Sequence, residues 1–589
     1  MTTVQTAPTG RRVAPASAPR PSMFARVVTP ARLILVLAVA LWATALPHVA
    51  SATVNIYGLL FAGVPGLAAG GVLAAVALVA AVRRANTLDA ALATVVIVLV
   101  GRLTATIAVN EPGSTFIFRH LGVIDYIQQN GELSHGTDIY NGWPGAFAAV
   151  AWFSDVTGVS PHLIAVWFPA LCDVAFAGAV FLLCRAFGQR VLVAVVGAFI
   201  ATVANWVGQD YLSPQAFGIL LATLILTLLV QSKKHPVAGW MTLPLFLALT
   251  LTHQLTPYWL VIITVVLGVT GHIRPRLIGL VFIAIVGVDL LINIDQVSGQ
   301  GVLSNFDPIA NSKSLANGAV YSDGATFTAL SSRIPSVALW GSAAVIAAAS
   351  LLYKPMRGLG PIWVPAVFAF SSFSLLFTQN YGGEAIFRVF LYSVPGCAVL
   401  IAPWLVRAIQ VSPLTVPSRW LRRVIPPLTA LALVVITLGS LQAYYGAWFA
   451  NLVRTDSVNA VENWLENTEG PAQLLSPTIG VPLRPVAEYV DFAEIDSHYD
   501  ASLTTWNGWA GSSFRDTEVV DTFTRQLADL RTDTYVMVTT QTKIYSDFYG
   551  AYPAGSLDRL ADQLRVKEGW TTVIDTPDLQ LFEYTGGHR

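Results

Sequence analysis

The chain has 589 residues, of which 54% are hydrophobic and only 12% are charged, whereas a soluble domain carries about 25% charged residues. This composition indicates an integral membrane protein and excludes an ordinary soluble one. The formal net charge is zero, and no basic face suited to nucleic acid is present, so no nucleic-acid partner is expected. Cys172, Cys184 and Cys397 lie in apolar runs, which argues against a disulfide framework or a cysteine metal site.

The N-terminal segment 1–30 contains four arginines, no acidic residue and many Pro, Ala, Ser and Thr residues. These features predict a disordered cytoplasmic tail. The apolar run that follows is long enough to cross a bilayer and has no evident small-residue cleavage site, so the segment is not interpreted as a cleaved signal peptide.

Apolar runs of membrane-spanning length predict an all-α polytopic membrane protein with about thirteen transmembrane helices. The transmembrane part covers 31–449, and the predicted spans are 31–50, 57–82, 90–109, 161–184, 191–207, 214–231, 237–253, 257–272, 276–293, 335–353, 360–377, 389–409 and 424–446.

The distribution of Lys and Arg orients these spans. With the N-terminus in the cytoplasm, every inner loop is basic, as the positive-inside rule requires. The run 144–158 would invert this pattern if it crossed the membrane, so it is predicted to be a helix on the outer surface. The protein is therefore expected in the plasma membrane as a multi-pass protein with an extracytoplasmic C-terminus, an outer catalytic loop at 110–160 and a second outer loop at 294–334.

The composition changes at about residue 450, because 21 of the 34 acidic residues follow Asn451. Amphipathic helical patterns such as SVNAVENWLENT and LDRLADQLRV alternate with strand-like runs. The four strand-like runs are AQLLSP, TYVMVTT, TTVID and LQLFEYT. Segment 450–589 is therefore predicted to be a small extracytoplasmic α/β domain.

Ionisable residues are concentrated in the outer loop, which follows an almost charge-free span. They include Glu111, Arg119, His120, Asp125 and Asp138. Charges near the hydrocarbon are costly and usually functional. Within the loop, HLGVIDYIQQNG has apolar residues at helical spacing, which predicts a helix along the membrane interface with Asp125 on its more polar side.

Three further motifs fall on the same predicted side of the membrane: NWVGQDYLSPQ with Asp210, THQLTP with His253 and Gln254, and QNYGGEAIFR with Glu384 and Arg388. Each also has a structural interpretation. Asp210 could cap the next helix, His253 could be an interfacial hydrogen-bonding residue, Arg388 could contact lipid phosphate, and Asp138 could form a turn. Their shared location favours a functional site. By contrast, Arg102 and Asp173 lie inside spans and are expected to join an intramembrane ion pair or polar network.

The order of these features resembles the GT-C superfamily of membrane glycosyltransferases, which includes protein O-mannosyltransferases, aminoarabinose transferases and oligosaccharyltransferases. The resemblance covers roughly 90–450. In this superfamily a span is followed by an outer loop with an acidic residue near its start, then surface helices and a Pro-containing segment. Here Glu111, HLGVIDYIQQNG and DIYNGWPG take those places.

The motifs WPG, QDYLSPQ, HQLTP and E-x3-R particularly resemble GT-C-like proteins of actinobacteria and archaea. The chain departs from the pattern in lacking a DE or DxD pair and in having two extra N-terminal spans.

The resemblance implies transfer of a sugar, with inversion, from a polyprenyl-phosphate donor to a glycan, lipid or protein acceptor during assembly of the cell envelope. It implies a carboxylate base, for which Glu111 is preferred and Asp125 and Asp138 are alternatives. Arg388 would then stabilise the leaving phosphate. The other predicted substrate-binding residues are Arg119, His120, Tyr140, Trp143, Asp210, His253, Gln254 and Glu384. No cofactor is specifically indicated. A divalent metal is compatible with the several acids, but no ligand spacing demands one.

A second hypothesis is a transporter or flippase of a lipid-linked or polar substrate, which would place charges inside the helix bundle. Another envelope-glycan polymerase or ligase and a membrane scaffold are further alternatives.

Overall fold

A computed structural model describes residues 29–585 apart from 135, 300–306, 313–321, 353–361, 378–383, 412, 414–415, 417, 506–508, 510 and 529–531. Nearly all of the predicted cytoplasmic tail and parts of the predicted loop 294–334 therefore lie outside the described residues.

Eight helices in the described part of the chain are long and apolar enough to cross a membrane. The chain is thus a multi-pass membrane protein. The eight are α1 (Pro30–Ala50), α2 (Pro65–Arg83), α3 (Thr87–Ala108), α6 (Pro161–Ala186), α8 (Pro214–Ser232), α14 (Asp323–Leu352), α16 (Ala385–Ile409) and the region Arg419–Asn451, which contains α17 (Arg419–Tyr445) and α18 (Trp448–Asn451).

Five shorter apolar helices complete the bundle. They are α7 (Val191–Ala204), α9 (Pro236–Thr252), α10 (Thr256–Val269), α11 (Ile278–Ile292) and Trp363–Phe377, of which Trp363–Phe370 is α15 and Ser371–Phe377 is a 3-10 helix. Each of the thirteen predicted apolar runs thus contains a helix, although only eight have a clear spanning length. The number of crossings stays a prediction.

The predicted outer loop contains two helices, α4 (Phe116–Asn130) and α5 (Gly145–Thr157), joined through a 3-10 turn at Ile139–Gly142. Gly131 ends α4 in the left-handed conformation, with φ of 69°, which glycine adopts without steric cost. Two short helices, α12 (Ile294–Gly299) and α13 (Pro308–Asn311), follow α11.

Helix α14 begins at Asp323, before the predicted span 335–353, so its first turns lie within the predicted second outer loop, 294–334, whose position outside the membrane stays a prediction. Ser322 Oγ accepts a hydrogen bond from Ala325 N at 3.1 Å and satisfies a free amide of the first turn. Pro335, where the predicted span began, lies inside the helix. An interior proline is uncommon in a helix.

The C-terminal part consists of helices packed on a four-stranded sheet. The strands are β1 (Ala472–Leu475), β2 (Asp533–Thr539), β3 (Trp570–Asp575) and β4 (Leu579–Tyr584), in the order β1-β2-β4-β3. β1 pairs parallel with β2, and β4 pairs antiparallel with both neighbours. The helices are α19 (Thr455–Asn467), α20 (Tyr489–Ile495), α21 (Thr517–Ala528), α22 (Thr540–Tyr549) and α23 (Ser556–Val566), with a 3-10 turn at Leu503–Thr505.

One apolar cluster joins the C-terminal part to the loop helices. Ile117 and Ile124 of α4 pack in the same buried cluster as Val461 of α19 and Leu581 of β4. The loop segment 110–143 is thereby held between the helix bundle and the C-terminal sheet. This arrangement positions the polar side chains described next.

Candidate active site

Glu111 is buried just after α3. Its carboxylate accepts a hydrogen bond from Thr455 Oγ1 at 2.8 Å and lies 2.9 Å from His162 Nε2. Burial by itself would raise the pKa of Glu111, but the hydrogen bonds from His162 and Thr455 and the charge of His162 outweigh it, so the pKa lies below its ordinary value. The Glu111 side chain is therefore ionised at neutral pH.

The buried side chain of Asp138 pairs with two arginines. Its Oδ2 lies 2.5 Å from Arg119 Nε and 3.2 Å from Arg484 Nη1. Its Oδ1 accepts a hydrogen bond from Tyr140 N at 3.3 Å and caps the 3-10 turn. Asp138 therefore fixes the position of Tyr140.

Asp125 lies on α4, where its Oδ2 accepts hydrogen bonds from Ala487 N at 2.8 Å and from Gln129 Nε2 at 2.9 Å. The three predicted catalytic carboxylates thus share no contact partner among those described here. Each of them contacts the C-terminal part of the chain, through Thr455, Arg484 or Ala487. Nothing in the sequence indicates these contacts.

Most of the predicted substrate-binding residues share one cavity of about 150 Å³ at the ends of α8, α9 and α16. Seven of them line it, namely His120, Tyr140, Trp143, His253, Gln254, Glu384 and Arg388. Arg119 and Asp210 are not in its lining, nor are Glu111, Asp125 and Asp138. We call this space the first cavity.

Two neutral histidines contribute opposite hydrogen-bonding groups to the first cavity. Burial lowers the pKa of His120 to about 4 and that of His253 to about 3. His120 Nδ1–H donates to Leu212 O at 2.7 Å, so its Nε2 is an acceptor, and this atom has no hydrogen-bond partner among the described residues. His253 Nδ1 accepts from the backbone amides of Leu255 and Thr256 at 3.1 and 3.2 Å, so its proton resides on Nε2.

Gln215, which was not among the predicted site residues, also lines the first cavity. It is 4% exposed, and neither its Oε1 nor its Nε2 has a hydrogen-bond partner in the described part of the chain. A buried amide with both ends unpaired is costly. The sequence did carry a signal, because Ser213 caps α8 and Pro214 occupies its first turn, which places Gln215 at that end of the helix.

The charged part of the lining is an ion pair. Arg388 Nη2 lies 3.3 Å from Glu384 Oε2, one turn away at the start of α16. The Glu384 side chain is 37% exposed and that of Arg388 is 14% exposed, whereas His120 and His253 are almost fully buried. The charges therefore lie at the more accessible part of the lining and the neutral polar groups lie deeper.

Aromatic rings surround His120. Its ring centroid lies 4.6 Å from that of Tyr140 in an edge-on arrangement and 5.9 Å from that of Tyr211 in a stacked one. Burial raises the pKa of Tyr140 to about 12 and raises that of Tyr211 further above its ordinary value. Both tyrosines are consequently neutral, and with Trp143 they give the cavity apolar ring faces next to hydrogen-bonding groups.

A second cavity, of about 110 Å³, is lined by Glu111, Asp210, Ser114 and Tyr444. Tyr211 lines both cavities. The two spaces are therefore adjacent, and Glu111 faces the second one rather than the first.

A buried ionic cluster lies behind the second cavity. Arg102 pairs with Asp210, and its guanidinium lies 3.9 Å from the ring centroid of Tyr444. Asn205 Nδ2 donates to Asp173 Oδ1 at 3.3 Å. Arg102 and Asp173 thus join a buried polar network, as predicted; its depth in the membrane stays a prediction. Arg102 occupies a π-helical turn at Leu99–Leu103, and such turns are frequent at functional sites. Asp210 does not cap α8, because Ser213 performs that role.

Among the described residues, no group of three or more His, Cys, Asp or Glu side chains is arranged to hold a metal ion. The first cavity instead offers an arginine, neutral hydrogen-bonding groups and aromatic faces.

No protein-family model matches the chain, and no curated protein does. Two crystal structures of ArnT from Cupriavidus metallidurans are similar to it. The apo structure is 12% identical with a TM-score of 0.42, and the alignment covers 79% of this chain and 93% of that one. The structure bound to undecaprenyl phosphate is 13% identical with a TM-score of 0.42, and the alignment covers 84% of this chain and 97% of that one.

Proposed function

We propose that this protein is a membrane glycosyltransferase that moves a sugar from a polyprenyl-phosphate-linked donor to an acceptor on the extracytoplasmic face, in assembly of the cell envelope. The observation that carries the proposal is the first cavity, which combines Arg388 with aromatic faces and neutral hydrogen-bonding groups. Phosphate binding requires a cation or several donors, and a sugar ring requires aromatic and hydroxyl-binding contacts. The cavity offers both at one end of a membrane helix bundle.

In this function Arg388 contacts the donor phosphate. Its guanidinium exchanges part of its pairing with Glu384 for the phosphate oxygens, and it stabilises the charge that develops as the phosphate leaves. Tyr140 and Trp143 contact the sugar ring, and His253 and Gln254 bind its hydroxyls. The small volume, below the roughly 300–1,000 Å³ of pockets for drug-sized ligands, suits one sugar ring.

The reaction is a displacement at the anomeric carbon of the donor. An acceptor hydroxyl oxygen forms the new bond to that carbon, and the bond from the carbon to the phosphate oxygen breaks, with its electron pair leaving on the lipid phosphate. Attack on the face opposite the phosphate inverts the configuration. The transition state has oxocarbenium character, and a carboxylate accepts the proton of the acceptor hydroxyl.

We assign this base to Glu111. It is ionised, it lines the second cavity, and Tyr211 lines both cavities. The acceptor enters the second cavity, and the proton passes from Glu111 to His162, which is 43% exposed. Asp138 is a weaker alternative because two arginines hold its Oδ2 and the Tyr140 amide binds its Oδ1, and Asp125 lies outside the lining of both cavities.

The test is sugar transfer from labelled polyprenyl-phosphate sugars in membranes that contain the protein. We expect Glu111→Gln to lower transfer by about 10²- to 10⁴-fold, the usual contribution of a general base, with donor binding unchanged. Arg388→Ala should lower both binding and transfer. Glu132→Gln, an exposed carboxylate in the same loop, is the matched control. Equal transfer by Glu111→Gln and Glu132→Gln would remove Glu111 from the mechanism, and Asp138→Asn and Asp125→Asn then test the alternatives.

Transport is the second candidate, and the Arg102–Asp210 pair with Asp173 favours it, because ionisable groups within spans often mark substrate pathways. Proteoliposomes distinguish the two functions. A transporter moves a labelled lipid-linked sugar across the bilayer unchanged, whereas the proposed enzyme separates sugar from lipid without moving the lipid. Translocation of intact substrate, lost in Arg102→Gln, would favour transport and overturn the enzyme.

A further inference from the structure

The deep lining of the first cavity consists of neutral polar groups that have hydrogen-bonding capacity to spare. His120 Nε2 is an unpaired acceptor, and Gln215 contributes an unpaired carbonyl oxygen and an unpaired amide nitrogen. His253 contributes a donor, because its other ring nitrogen already accepts two backbone amides. The same small cavity thus offers both donors and acceptors. A sugar hydroxyl can both donate and accept, so it pairs with either kind of group.

Charges around the first cavity are already balanced. Arg388 pairs with Glu384 at its accessible part. Beyond Tyr140, Arg119 and Arg484 face Asp138 and Asp500, which adds two positive and two negative charges. The histidines and tyrosines of the lining are neutral at pH 7. In the deep part of the lining, an ionised substituent on the sugar would therefore lose its hydration without an opposite charge beside it.

From this combination we propose that the donor sugar is uncharged: its ring presents hydroxyl groups and no amino or carboxylate substituent. The inference rests on the proposed glycosyltransferase function and narrows its donor to neutral glycosyl phosphates. Gln215 and His120 are the residues that select the hydroxyls, and the single charge of the donor phosphate remains with Arg388.

Binding to the purified full-length protein tests this specificity. The probes are farnesyl phosphate and its conjugates with glucose, mannose and arabinose, which are neutral, and with glucosamine and glucuronate, which carry opposite charges. Isothermal titration calorimetry gives each dissociation constant. We expect at least one neutral conjugate to bind more tightly than farnesyl phosphate. Both charged conjugates should bind at least about tenfold more weakly than farnesyl phosphate, which corresponds to about 1.4 kcal/mol of binding free energy.

An isosteric charge change identifies the selecting residue. Gln215→Glu places a carboxylate in the cavity, so it should weaken the neutral conjugate and strengthen the glucosamine conjugate relative to wild type. Gln231→Glu is the matched control, because it makes the same change at the exposed far end of α8. We expect the control to keep the wild-type order of affinities.

Three results would overturn the inference. In the first, a charged conjugate binds as tightly as the best neutral one. In the second, Gln215→Glu leaves the order of affinities unchanged. The third is a set of neutral conjugates that bind no better than farnesyl phosphate. If farnesyl phosphate and every conjugate fail to bind, the proposed function itself fails, and this outcome is distinct from loss of sugar selectivity with lipid phosphate binding retained.

Discussion

Arg484 Nη1 of the C-terminal part lies 3.2 Å from Asp138 Oδ2 of the loop, and both side chains are at most 1% exposed. The same guanidinium holds Asp500 through two hydrogen bonds of 2.6 and 2.7 Å, and its carbon lies 5.5 Å from the ring centroid of Tyr489 and 5.2 Å from that of Tyr499. Because Asp138 also fixes the amide of Tyr140, this ion pair connects the C-terminal part to the first cavity.

We expect Arg484→Met to lower the free energy of unfolding by about 3–5 kcal/mol, because removing one partner of a buried ion pair leaves charged carboxylates without compensation. Thermal unfolding of the detergent-solubilised protein measures the effect. Arg565→Met is the control, since Arg565 pairs with Asp562 and Asp575 at the surface, where ion pairs contribute little. Similar midpoints for the two variants would show that the Arg484 pair does not stabilise the docked arrangement.

A second prediction concerns the close approach of α4 to the same segment. A Cβ added at Gly122 would collide with the backbone carbonyl oxygen of Arg484 and lie 3.0 Å from Tyr489 Cδ1. Alanine normally favours a helix over glycine by about 1 kcal/mol, but here the backbone of the C-terminal part would have to move. We therefore expect Gly122→Ala to destabilise the protein and to weaken donor binding.

The control is Gly178→Ala in α6, where a Cβ would meet nothing within 4 Å. We expect its unfolding midpoint to stay the same or to rise. The prediction is wrong if Gly122→Ala is as stable as Gly178→Ala in thermal unfolding.

The helices were largely predictable from sequence because apolar segments in a bilayer must satisfy their backbone hydrogen bonds internally. The four strand-like runs are likewise strands in the structure. The boundary of α14 was not predictable, since Pro335 marks a typical helix start but lies inside this helix. Periodicity therefore located the elements better than it located their ends.

The site was predictable only in part. Seven of the predicted substrate-binding residues share a cavity because each belongs to a motif at the same end of the bundle. The contacts of Glu111, Asp125 and Asp138 with the C-terminal part were not predictable, since the partners lie more than 340 residues away along the chain. Gln215 was missed because an amide next to a helix cap has no distinctive sequence pattern.

The neutral state of His120 predicts a specific dependence of stability on pH. Its pKa in the folded protein is about 4, below the ordinary value of 6.5, mainly because of burial. The unfolded chain therefore binds more protons than the folded one between these values. This contribution to stability is fully present above pH 6.5 and is lost as the pH falls towards 4, by roughly 3 kcal/mol at 1.36 kcal/mol per pKa unit.

We expect His120→Asn, which keeps a side-chain N–H for the Leu212 carbonyl, to lose less stability than wild type between pH 6.5 and 4. Chemical denaturation at a series of pH values measures the difference. His498→Asn changes an exposed histidine and should follow the wild-type profile. Parallel profiles for wild type and His120→Asn would contradict a buried neutral His120.

The last prediction separates binding from stability at Gln215. Neither of its amide atoms has a hydrogen-bond partner in the described structure, so replacing it with leucine removes no protein hydrogen bond and relieves a buried unpaired group. We expect Gln215→Leu to keep or raise the free energy of unfolding, by up to about 1–3 kcal/mol, while donor binding weakens.

The matched substitution is Gln541→Leu, because Gln541 is equally buried but its Nε2 donates to Ala450 O at 2.6 Å. Loss of that bond leaves a buried carbonyl unpaired and should destabilise the protein by about 1–3 kcal/mol. Both variants are tested by thermal unfolding and by binding of the farnesyl-phosphate sugar. For Gln215→Leu we expect stability to be kept or raised and affinity for the donor to fall. If Gln215→Leu instead unfolds as readily as Gln541→Leu, the amide of Gln215 supports the fold, and its role in selecting the sugar loses its structural basis.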